Sequence, residues 1–331
     1  MKKDRLQKCS EMALEVIDGR MIMAEESVWL ATFSSPDEVM FLAACANLIT
    51  WHKTKGQVTF CAIINARSGK CPENCSFCAQ SSHFQTEAET FPLLPVEQIV
   101  RSAAQAAQWG AGRFGIVTSG RGVRLDHDLD QICLAISDIN AGKLISPCAS
   151  LGILNRETAR KLKEAGLVTY HHNLETSAGF FPEICSTHAY QDRIETIKVA
   201  QEAGFRVCSG GIWGLGESIS HRLEMAFTLR ELGVDSVPVN FLNPIEGTRL
   251  ANQPPLAPLT ILQSLAIYRF ILPQADIRTC GGREKNLRGL QAMMFTAGAD
   301  STMIGNYLTT AGRSTDMDLA DVTDLGLVLT R

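Results

Sequence analysis

Trp109-Gly110-Ala111-Gly112-Arg113-Phe114-Gly115-Ile116-Val117-Thr118 sets the pattern on which the fold turns: a glycine closes a helical run, and a short apolar stretch follows at once. The phrase recurs at Ala165-Gly166 before 167–173, Ala203-Gly204 before 205–209, Leu232-Gly233 before 234–240 and Ala297-Gly298 before 299–304. Glycine reaches the left-handed conformation that ends a helix without the Cβ penalty other residues meet. Short β-branched runs near 58–64, 144–149 and 275–279 supply three more strands, for eight βα units. Eight such units predict an α/β fold, a closed (β/α)8 TIM-type barrel, with an open doubly wound sheet as the alternative. The glycine-rich stretch Gly210–Gly216 lacks the first-turn position and the lysine of a phosphate-binding loop, which counts against the open sheet.

Working outward, residues 1–56 read as an N-terminal helical extension. Ser35-Pro36-Asp37-Glu38 has the form of a capping box opening a helix through Val39, Leu42, Ala43, Ala46 and Ile49. Residues 57–310 form the expected barrel, and 311–331 a C-terminal tail. In such a barrel chemistry collects at the C-terminal ends of the strands. Cys148, Asn173, Glu175, Cys208, Asn240 and Arg278 fall there, and alternation along the first strand turns Cys61 inward.

After the first strand comes Cys71-Pro72-Glu73-Asn74-Cys75-Ser76-Phe77-Cys78. Thiolates are soft ligands suited to iron–sulfur clusters. Three of them at C-x3-C-x2-C grip three irons of a cubane and leave the fourth open for a small molecule. The competing readings are a zinc knuckle short of one ligand and three unrelated buried thiols. The chain has 331 residues, 11 cysteines and a formal net charge of −4. That mild acidity gives no basic excess for nucleic acid or a membrane surface. Met1–Gly19 is charged and amphipathic rather than signal-like, and there is no run of 18 apolar residues, so a cytoplasmic enzyme is expected, with cysteines serving as ligands or buried thiols. Cys9, Cys45, Cys133 and Cys185 have no motif around them and read as structural.

The cysteine loop resembles the radical S-adenosylmethionine (SAM) signature, with Phe77 as the aromatic before the last cysteine. The wider stretch Asn65–Ser82 resembles the biotin synthase family, as do Tyr170–Ser177, Arg206–Gly211 and Asn243–Leu250. The resemblance implies a [4Fe–4S] cluster on Cys71, Cys75 and Cys78, and an auxiliary [2Fe–2S] cluster with Cys148, Cys208 and Arg278 among its ligands. The family's third auxiliary cysteine corresponds to Gly115 here. Cys61 is the expected substitute and Cys280 the second choice. The resemblance further implies that Glu175 holds the SAM ribose and Arg193 its carboxylate. Asn173, Asn240 and His171, the last in place of a usual asparagine, would line the dethiobiotin site. Arg249 stands where the family loop has proline.

The implied activity is a radical SAM sulfurtransferase making biotin from dethiobiotin, the last step of biotin biosynthesis. SAM is cleaved to methionine and a 5′-deoxyadenosyl radical, which takes hydrogen from dethiobiotin; the carbon radical then takes sulfide from the auxiliary cluster. The implied partners are an electron donor such as flavodoxin or ferredoxin and a second copy in a homodimer, with no nucleic acid and no membrane. The rival, supported by Gly115, is a related radical SAM mutase or maturase that inserts no sulfur.

Overall fold

The glycine-ended helices are where the sequence puts them. In the computed structural model, which describes residues 3–331, Gly110, Gly166, Gly204, Gly233 and Gly298 all have positive φ, from 61° to 117°. The strands are β1 (Gln57–Arg67), β2 (Ala111–Thr118), β3 (Ser146–Ser150), β4 (Thr169–His171), β5 (Arg206–Cys208), β6 (Gly211–Trp213), β7 (Ser236–Phe241), β8 (Asp276–Thr279), β9 (Ser301–Met303) and β10 (Val328–Thr330). All ladders among them are parallel, in the order β1-β2-β3-β4-β5-β7-β8-β9, and β9 pairs back onto β1 to close the barrel. The fifth barrel position is one run broken at Ser209-Gly210: β5 contacts β7 at its start, and β6 continues along it.

The break has a steric cause. A side chain at Gly210 would collide with the Pro238 carbonyl, and one at Gly211 with the Glu175 carbonyl. Backbone therefore passes closely here, and Gly210 carries the oxygen that accepts from both Leu174 and Glu175 amides.

The last residues do more than trail away. Helix Thr315–Asp324 leads into β10, which adds in parallel to Gln57–Thr59 at the start of β1. Asp318 is fully buried and accepts from Arg283 Nη2 and Arg313 Nε, both at 2.7 Å, which anchors residues 311–331 to the loop after β8.

Helix Pro36–Thr54 buries Val39, Leu42, Ala43, Ala46 and Ile49 against helix Pro258–Ile271. The latter is buried on every side from Ile261 to Ile271, Gln263, Ser264 and Arg269 included, because a second helical layer covers it. Only half of the capping box at Ser35 forms. Glu38 accepts from the Ser34 and Ser35 amides, but the Ser35 hydroxyl donates to Asp37 instead of accepting from the helix. A short hydroxyl–carboxylate bond to a charged neighbour competes with capping.

The N-terminal mouth of the barrel is closed by ions. Lys53 bridges Asp276 (2.9 Å) and Asp300 (2.6 Å), and the fully buried Arg269 reaches Asp300 at 2.9 Å. Arg269 also donates to the carbonyls of Leu272, Pro273, Ala275 and Gly298, so its charge is fully satisfied. The opposite mouth is left open for chemistry.

Candidate active site

A cavity of about 330 Å³ occupies the C-terminal mouth of the barrel. Cys61, Gly115, Cys148, His171, Asn173, Glu175, Cys208, Asn240, Arg278 and Cys280 all line it, together with Cys78 from the cysteine loop. Residues scattered over more than two hundred positions thus converge because the closed ring of strands brings them to one interior, most of them at or just past a strand end.

The thiols gather at the deeper end. Gly115 is paired Cα to Cα with Ile63 on one side and Cys148 on the other. A Cβ there would sit 3.0 Å from the Ile63 methyl, so the position is filled by its neighbour's side chain. Cys61 precedes Ile63 by two residues, on the same face of β1. Arg278 Nη1 lies 3.6 Å from the Cys208 sulfur, and its Nε donates to Ser301 Oγ at 2.8 Å. Cys280 is buried, but its thiol is turned towards the Arg278 carbonyl at 3.8 Å.

Burial raises the Cys61 and Cys280 thiols and pushes Cys148 up to about 12, the last helped by the nearby Cys208 thiolate. Cys208 behaves differently. Burial would raise it as well, but the His171 imidazole, Arg278 and Arg113 outweigh that and hold it at about 6. Burial would lower the Arg278 guanidinium, but the neighbouring Cys61 and Cys208 sulfurs and Asp276 outweigh it and keep it protonated.

The polar end is organised by Asn173. Its amide donates to Glu175 Oε2 (3.2 Å) and accepts from the Gly210 amide (3.2 Å). Arg193, on helix Tyr190–Glu202, donates to the Asn173 carbonyl at 2.8 Å and to Glu175 Oε1 at 3.3 Å. Glu175 is held at φ 70°, in the left-handed region that a non-glycine residue occupies at a cost. Asn240 accepts from the Gly281 amide at 3.1 Å and donates to the Gly211 carbonyl at 3.4 Å. Each asparagine keeps one N–H and one lone pair for a ligand. His171 lines the same cavity but points Nδ1 at Cys208 (3.4 Å), so it stands with the thiols rather than with the amides.

The cysteine loop roofs the cavity. Cys71 N–H donates to the Gln80 carbonyl and its own carbonyl accepts from Ser82, which folds the loop back beside Cys78. Burial pushes the Cys78 thiol up to about 11. Loop 243–250 closes against the same segment: a side chain at Gly247 would strike the Gln85 carbonyl. Thr248 holds that turn through Ile245, and Arg249 is exposed, so the residue replacing proline leaves the turn intact.

Both donor sets suit iron–sulfur chemistry. Four buried cysteines and a guanidinium line one cavity, and Cys78 of the cysteine loop reaches it from above. One cysteine departs from its structural reading. Cys185 lies 3.8 Å from Cys75, 110 positions away, and 3.3 Å from His188. Its only local signal is the Cys185–His188 spacing. Cys9, Cys45 and Cys133 are in helices, away from the cavity.

Residues 66–229 match the Radical SAM superfamily, and residues 238–328 match the Biotin and Thiamin Synthesis associated domain. A curated biotin synthase of Pelobacter propionicus is 53% identical over 94% of this chain and 95% of its own. That of Geobacter sulfurreducens is 51% identical over 96% of each. Among solved structures, methylornithine synthase superposes with a TM-score of 0.83 over 97% of both chains at 17% identity, a likeness of fold alone.

Proposed function

The chain belongs to the biotin synthase family of radical SAM enzymes, and from that premise we propose how its own side chains divide the work of inserting sulfur into dethiobiotin. An enzyme of this family uses a [4Fe–4S] cluster, SAM, an auxiliary [2Fe–2S] cluster and an external reductant. When bound, these groups supply the electron that cleaves SAM and the sulfide that enters the product.

Cys71, Cys75 and Cys78 are proposed to hold the first cluster at the roof of the cavity. Cys61, Cys148, Cys208 and Arg278 are proposed to hold the auxiliary cluster at its floor. Cys61 is favoured over Cys280 because it lies on the Gly115 side of the barrel, and because the Cys280 thiol is engaged with a carbonyl. Cys208 is poised as a thiolate near pH 6, ready to ligate without first losing a proton at neutral pH. Arginine is an unusual ligand; two thiols that press on its charge make it a fixed positive wall even where it does not ligate.

Between floor and roof, Asn173 and Asn240 offer donor and acceptor pairs suited to the ureido ring of dethiobiotin. Glu175 accepts from the SAM ribose hydroxyls. Arg193 orients Glu175 and remains within reach of a carboxylate. Phe77, Ile212, Leu242 and Tyr307 wall the space and keep water from the reacting carbon.

We also propose a division at 56/57 and 310/311, supported by the change from helices to β1 and by the tail that returns as β10. A flavodoxin or ferredoxin as reductant, a homodimer and a cytoplasmic location rest on the family resemblance. No helix among the described residues is long and apolar enough to cross a membrane.

The observation that carries this reading is the meeting of Cys61, Cys148, Cys208 and Arg278 with Asn173 and Asn240 in one cavity. Anaerobic reconstitution followed by Mössbauer spectroscopy tests it. Wild type should show two cluster populations, and Cys61→Ala should lose the second. A second population that survives the substitution removes Cys61 and turns attention to Cys280.

A further inference from the structure

The contact between Cys75 and Cys185 is part of a built site. Cys185 follows helix Phe181–Ile184, and its sulfur is 3.8 Å from Cys75 Sγ, 3.3 Å from His188 Nδ1 and 4.0 Å from His188 Nε2. The ligating atoms of Cys75, Cys185 and His188 lie within 4.8 Å of one another. Two thiolates each about 2.3 Å from a tetrahedral ion are set about 3.8 Å apart. The sulfurs already have that separation.

The surroundings hold the geometry. Buried Glu73 accepts from His188 Nδ1 at 2.5 Å, which leaves Nε2 as the free lone pair. A carboxylate behind the imidazole is how ligating histidines are oriented in metal sites. The Thr187 hydroxyl also binds Glu73. Asn74 Oδ1 accepts from the Ser186 (3.0 Å) and Thr187 (3.3 Å) amides, and the Ser76 amide donates to the Ile184 carbonyl at 2.8 Å. Segments 73–76 and 184–188 are thus fastened to each other independently of any ion.

We propose that the cluster-free chain binds one divalent first-row transition-metal ion, of the Zn²⁺ or Fe²⁺ class, through Cys75, Cys185 and His188, with water in the fourth position. Cys75 has one thiolate to give. The ion and the three-cysteine cluster therefore exclude each other, and a tightly held Zn²⁺ keeps the cluster from forming. The inference stands whether or not the auxiliary ligand set proposed above is right, since it shares no residue with that set.

Co²⁺, whose thiolate charge-transfer and ligand-field bands report ligand type and geometry, is the probe. The full chain carrying Cys71→Ser, Cys78→Ser, Cys148→Ser and Cys208→Ser, so that neither the loop nor the cavity floor offers a competing thiolate pair, is titrated anaerobically. One tetrahedral Co²⁺ with two thiolates is expected, displaced by Zn²⁺. Adding Cys185→Ser should remove one thiolate band and weaken binding at least a hundredfold. Glu73→Gln should weaken it about ten- to a hundredfold. Equal binding with Cys185→Ser, or no binding by a chain whose circular dichroism shows it folded, overturns the proposal. If the loop variant does not fold, X-ray absorption of the unsubstituted cluster-free chain loaded with Zn²⁺ decides. Two sulfurs and one imidazole support the site; three sulfurs and no imidazole overturn it.

Discussion

His171 Nδ1 faces the Cys208 sulfur at 3.4 Å, and the two residues are paired Cα to Cα across β4 and β5. A buried thiol ordinarily resists ionisation, as Cys148 does on β3, the strand before β4. Cys208 escapes because an imidazole and two guanidiniums surround it. The barrel thus contains a prepared thiolate among reluctant thiols, and the residue that prepares it stands where the family usually has asparagine.

His171→Asn should therefore move the Cys208 ionisation upward from about 6. Thiolate ultraviolet absorbance of the cluster-free chain, read against a Cys208→Ser blank, measures it. The folded value lies below that of a free thiol, about 8.5. Ionised Cys208 accordingly stabilises the fold above about pH 8.5, and that contribution is lost as pH falls through about 6. An unmoved titration would leave the effect to Arg278 and Arg113.

The barrel was legible because its punctuation is local. Each helix-ending glycine acts on its own φ, and each strand declares itself by a few β-branched residues. The convergence of Cys148, Cys208 and Arg278 was legible once those strands were placed in a closed ring. The partnership of His171 with Cys208 was not, because it depends on the register between β4 and β5. Cys185 was hidden for a similar reason: its partner lies 110 residues earlier, and loop-to-loop contacts leave no periodicity. The docking of β10 on β1 was equally invisible, since three residues of strand are too few to announce a ladder.

Gly115→Cys in a Cys61→Ala background should restore the second cluster. The new thiol would enter between Ile63 and Cys148, in the space Cys61 is proposed to serve. Its Cβ meets the Ile63 methyl at 3.0 Å, so the variant should lose about 1 kcal/mol to overpacking. Ile63→Ala, which removes that methyl, should relieve the contact. Iron content with Mössbauer spectra, and urea denaturation for stability, are the measurements. No second cluster in the double variant would mean that the two positions do not serve one site.

Asp300→Ala should cost about 3–5 kcal/mol, because it strands the fully buried Arg269 and half of the Lys53 bridge. Adding Arg269→Met should recover part of the loss, since no buried charge is then unpaired. Chemical denaturation of both variants checks the order. A double variant less stable than Asp300→Ala alone would show that the carbonyl bonds of Arg269, and not its ion pair, hold this end of the barrel.

Glu175 separates a binding role from a structural one. It is kept at φ 70° while its carboxylate is shared between Arg193 and Asn173. A hydrogen bond to a charged group is worth about 1.5–3 kcal/mol, so Glu175→Gln should weaken SAM binding about ten- to a hundredfold. Glu175→Gly should weaken it at least as much. Glycine nevertheless accepts the left-handed backbone, so that chain should be no less stable than the glutamine variant. Calorimetry of SAM binding to the reconstituted chain and thermal denaturation together test the pair. A glutamine variant that binds SAM normally would assign Glu175 to holding Arg193 in place and nothing more.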